Sequence, residues 1–79
     1  MSEGRVIPAQ DAVAVTPSDS GSHRFRALYI GGDGDVSVDT KGGSESVVFV
    51  GVLAGTILPV EVVRVNSTDT TATNIVGLV

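Results

Sequence analysis

From Asp11 onward the apolar positions recur every second residue, the period of strands with one buried face. Asp11 to Thr16 predicts a short strand, and Pro17, Ser18, Asp19, Ser20 and Gly21 end it with turn-forming residues. His23 to Ile30 predicts the next strand. Phe25, Ala27 and Tyr29 share one face, and Arg24, Arg26, Leu28 and Ile30 share the other, so the second half reads as covered on both faces. Gly31-Gly32-Asp33-Gly34 predicts a tight turn. Asp35 to Asp39 alternates cleanly, with Val36 and Val38 inward. After a turn at residues 40–44, Glu45 to Val52 is the most apolar strand, continuous enough to be buried on both sides in a core or at a subunit contact. Residues 53–56 turn the chain. Leu58 to Val65 predicts a fifth strand whose alternation slips at Val62-Val63, the mark of a β-bulge. Pro59 stands near its start, where a missing N–H is tolerated. Residues 66–73 form a polar loop, and Asn74 to Val79 a last strand.

About six short strands with turn signals every eight to twelve residues predict an all-β fold, a small antiparallel β-sandwich or barrel. No window favours a helix, because β-branched residues dominate and glycine interrupts. Residues 1–10 lack the period and read as an extended N-terminal arm; residues 11–79 read as a single β domain. Size then changes the picture. With 79 residues and no cysteine, the chain has neither a disulfide nor a Cys/His zinc cluster to reinforce a small core. Oligomerisation is the remaining common means, so a homo-oligomer is expected. The net charge of −4, with five scattered Lys and Arg, disfavours nucleic acid and anionic membrane surfaces as partners. No apolar run reaches a membrane span. Met1 to Arg5 lacks the apolar segment of a secretory signal, so synthesis in the cytoplasm is expected.

Candidate chemistry is sparse. His23 is the sole histidine, and its neighbour Ser22 points to the opposite face of a strand, so no Ser-His-acid set forms. Asp33, Asp35 and Asp39 are the one carboxylate cluster. Their glycine-rich surroundings have the look of a calcium repeat, but Val36 stands where the ligand aspartate belongs, and a single copy cannot stack; an isolated calcium site on these loop carboxylates stays open as the alternative to a solvated hairpin turn. Gly31 to Gly34 is followed by no helix and no Lys-Ser/Thr pair, so it is not a phosphate loop. Asn66-Ser67-Thr68 matches a glycosylation sequon by chance in a chain without a secretory signal. No cofactor and no enzymatic activity are expected. Arg24 and Arg26 on one strand, and Glu61 and Arg64 on another, are charges of a solvated face or of a subunit boundary.

The order of four segments adds a resemblance. These are residues 15–20 (VTPSDS); residues 26–32 (RALYIGG) with Gly34-Asp35-Val36; residues 53–60 (LAGTILPV); and residues 63–66 (VRVN) with residues 70–76 (TTATNIV). Together, over residues 11–79, they resemble the head spike base protein family of tailed phages and alphaproteobacterial gene transfer agents. The resemblance implies a virion structural protein at the capsid vertices, made in the bacterial host cytoplasm. It would be a pentamer that joins the major capsid protein to a host-contacting spike or fibre protein. By position, Val6, Ile7 and Pro8 are candidate capsid contacts. Arg24, Arg26, Val48, Phe49, Val50 and Arg64 are candidate subunit contacts. Another head decoration, a tail component or a carbohydrate-binding module are the alternatives. The last needs exposed aromatics, whereas Phe25, Tyr29 and Phe49 all read as core.

Overall fold

Leu28 and Ile30 point the same way from one strand, Val36 and Val38 the same way from the next, and closing the two pairs over each other builds the core. The computed structural model describes residues 9–79. The elements are β1 (Ala12–Ala14), β2 (Ala27–Gly32), β3 (Gly34–Thr40), β4 (Val47–Val52), β5 (Thr56–Leu58), β6 (Val62–Val65) and β7 (Thr73–Leu78). They form two antiparallel sheets, one of order β1-β7-β2-β5 and one of order β4-β3-β6. Between the sheets lie Phe25, Leu28, Ile30, Val36, Val38, Val62 and Val65, with Ile75, Leu58 and Val52. The all-β sandwich is the expected class. Of the expected arm, Ala9 and Gln10 are described; Val6, Ile7 and Pro8 lie outside the described residues.

Three expectations are corrected. The single strand over residues 58–65 is two, so the strands number seven among the described residues. β5 pairs with β2, while β6 pairs with β3 in the other sheet. Pro59 sits at the crossover, where it cannot continue a ladder, and Val60 N–H turns back to the Leu58 carbonyl at 2.9 Å. The glycine segment at 31–34 is not a hairpin turn. Gly31 and Gly32 belong to β2, and the chain passes there from one sheet to the other. Tyr29 is not core. Phe25 bridges to Val62 of the three-stranded sheet, whereas residues from Ala27 onward pair with β7. The ladder breaks at Arg26, so parity shifts and Phe25 and Tyr29 end on different faces.

The bulge at Val62-Val63 is present. Asp39 pairs with Arg64 and Thr40 with Val62, leaving Val63 as the extra residue. A second irregularity lies on β4, where Gly34 opposes Val52 but Val36 opposes Phe49. Gly51 takes up the surplus with φ of +70°, a backbone region open to glycine at little cost.

Candidate assembly interface

The outer face of the four-stranded sheet departs from the usual polar exterior of an antiparallel sandwich. Register places Ala14, Val76, Tyr29 and Ile57 in one row across all four strands. The next row is Ala12, Leu78 and Ala27. No polar or charged side chain interrupts either row, and Tyr29 and Ile57 are exposed. In the sequence its members are scattered over four strands and make no run that marks a face.

A second apolar surface runs along the β4–β5 edge. No charged residue stands between Glu45 and Glu61. Val50 is 77% exposed, Leu53 67% and Ile57 55%, and the three lie on β4, the β4–β5 turn and β5. Three large aliphatics this exposed within eight residues make a candidate contact surface, since apolar side chains scattered singly over a surface are ordinary and grouped ones are not.

The outer face of the three-stranded sheet is polar and occupied by its own contacts. Asp39 is buried there. Its Oδ1 accepts from the Ser46 N–H at 2.9 Å and the Asn66 Nδ2 at 3.0 Å, and its Oδ2 pairs with the Arg64 Nη1 at 3.0 Å. These partners hold the Asp39 carboxyl below the usual carboxylate range, the Ser46 amide most of all, then Asn66, with the Arg64 charge adding to them. Arg64 Nε also donates to the Gly21 carbonyl at 2.7 Å, fixing the loop before β2. Asp19 accepts from the Thr68 hydroxyl and N–H, which lower its pKa as well. The hollow here, about 330 Å³, is lined by Asp19, Ser37, Asp39, Arg64, Asn66 and Thr68, which share hydrogen bonds, and by Glu45, Ser46 and Asp69 at its edge.

The carboxylates of the suspected calcium turn are similarly engaged. Asp33 Oδ1 accepts from the Ala54 N–H at 2.6 Å, and Asp35 Oδ1 from the Gly51 N–H at 2.9 Å. With Asp39 on Ser46, three aspartates clip the backbone of residues 46–54 to β3 and the residues before it. Among the described residues, no three His, Cys, Asp or Glu side chains gather as a metal site requires. His23 stacks on Phe25, ring centroids 5.1 Å apart.

The candidate subunit contacts are dispersed. Val48 and Val50 face solvent, while Phe49 alternates inward and packs on the core. Arg24 and Arg26 are exposed beside Lys41, Glu61 and Val79 around a hollow of about 410 Å³. Arg64 is engaged within the chain by Asp39 and Gly21.

One solved structure, of the capsid of a native GTA particle computed with C5 symmetry, contains a similar chain. The two are 40% identical, the match covers 91% of this chain and 84% of that one, and the TM-score is 0.79. No protein-family model matches the sequence, and no curated protein does.

Proposed function

The chain belongs to the family of that gene transfer agent capsid chain, and we propose that it is a virion structural protein serving as the spike base at the capsid vertices. In this reading it forms a pentamer, rests on the major capsid protein and carries a host-contacting spike or fibre protein. The observation that carries the reading is the kinship to a chain of a capsid whose structure was computed with C5 symmetry. The apolar outer face of the four-stranded sheet supports it physically. A chain of 8.0 kDa that leaves whole rows of Ala, Val, Leu, Ile and Tyr on its surface gains stability by covering them.

The test has two arms. Light scattering over a range of concentrations should give a native mass five times that of the chain. Gold-labelled protein should then appear at the particle vertices by electron microscopy. A strict monomer at all concentrations, or label spread over the capsid facets or on a tail, counts against the spike-base role and for a decoration or tail component.

A further inference from the structure

Resting on the ring just described, we propose that neighbouring copies meet head to tail, with the β4–β5 edge of one copy against the β1 edge of the next. A five-fold ring cannot be closed by a self-complementary patch; each copy must offer two different surfaces that fit each other. The exposed apolar side chains divide in that way. Val50, Leu53 and Ile57 stand on the edge formed by β4 and β5. Val13 and Val79 stand at the opposite edge, because β1 and β5 are the terminal strands of the four-stranded sheet. Val79 is fastened to the β1 edge by its N–H to the Asp11 carbonyl and by the Gln10 N–H to its own carbonyl.

Charge stands beside both edges but not within their apolar runs: Asp33 and Asp35 flank the first, bonded to Ala54 and Gly51, and Asp11, Arg24, Arg26, Lys41 and Glu61 lie around Val79 on the second. Along the chain, none lies between Glu45 and Glu61 on the first, and none between Asp11 and Asp19 on the second. Contact centred on these runs keeps the neighbouring charges at its rim, the usual arrangement of an interface. The area is also suitable. The chain exposes 4768 Å², and two standard interfaces at about 800 Å² per partner would cover about a third of it. Contact runs through side chains rather than by adding a strand, because the irregularity at Gly51 interrupts the β4 ladder and Pro59 follows the three-residue β5.

Two variants of the full chain test the pairing: Val50→Asp with Leu53→Asp, and Val13→Asp. Each alone should be monomeric by native mass, with an unchanged far-UV circular dichroism spectrum. Mixed in equal amounts they should form a one-to-one dimer and nothing larger, since each retains only the half that the other has lost. Either variant keeping the wild-type mass, a dimer of one variant with itself, or a mixture that stays monomeric overturns the assignment. Should Val13→Asp not fold, Val13→Ser replaces it and should raise the concentration of half-assembly about tenfold; no change overturns the assignment equally. A monomeric wild type removes the ring itself, a result distinct from an intact ring that ignores these variants.

Discussion

Gly77 leaves no room for a methyl group. A Cβ built there would stand 2.4 Å from the Phe25 ring, and Phe25 is 4% exposed in the centre of the core. Overfilling a packed site forces neighbours off their rotamers. Gly77→Ala should therefore destabilise the chain by about 1–3 kcal/mol, read as a lower urea midpoint at unchanged slope. An unchanged midpoint would mean that the ring is not seated on β7. Phe25 could be read as core from the sequence, but Tyr29 could not be read as surface. Residues four apart in one strand share a face, and only the break at Arg26, where the chain leaves one ladder for the other, separates them. A change of pairing partner leaves no mark in the period of apolar residues.

At the scale of elements, β3 organises its surroundings through carboxylates. Because Asp39 has a lowered pKa in the fold, the unfolded chain takes up the proton first as acid is added. Its contribution to stability is whole above the ordinary aspartate value of about 4 and disappears as pH falls through the lower folded value. Asp19, held down by Thr68, acts in the same direction. Denaturant midpoints of the wild type should decline below that pH, and Asp39→Asn should start lower at neutrality and decline less. An equally steep decline in the variant would remove Asp39 as a source of the acid sensitivity. Of the elements themselves, the bulge at Val62-Val63 was legible because two adjacent apolar residues break alternation. The crossovers at residues 31–34 and at Pro59 were not. Alternation tells which face a residue takes within a strand, and says nothing of which sheet that strand joins.

For the whole molecule, the two apolar surfaces call for different partners. If copies join edge to edge in a ring, symmetry gives the outer face of every four-stranded sheet the same inclination to the axis, with Tyr29 as the one aromatic in each. Were that face the one set on the capsid, Tyr29 would be its anchor, aromatic side chains being the common anchors of such contacts. Tyr29→Asp should keep the native mass and thermal midpoint of the wild type but fail to copurify with particles. Loss of the ring instead would make this face the contact between copies. The uncharged stretch from residue 46 to 60 was readable in the sequence. The outer face was not, because its rows are assembled from four strands far apart along the chain.

The three aspartate clips have a further consequence. They grip Ser46, Gly51 and Ala54 by main-chain amides, so the edge is anchored without regard to which side chains it displays. Val50 and Leu53 can drift by mutation while the strand stays in place. Lineages of such particles can in this way acquire subunits that share one fold and refuse to mix, the inheritance of the scaffold being separated from the inheritance of its compatibility.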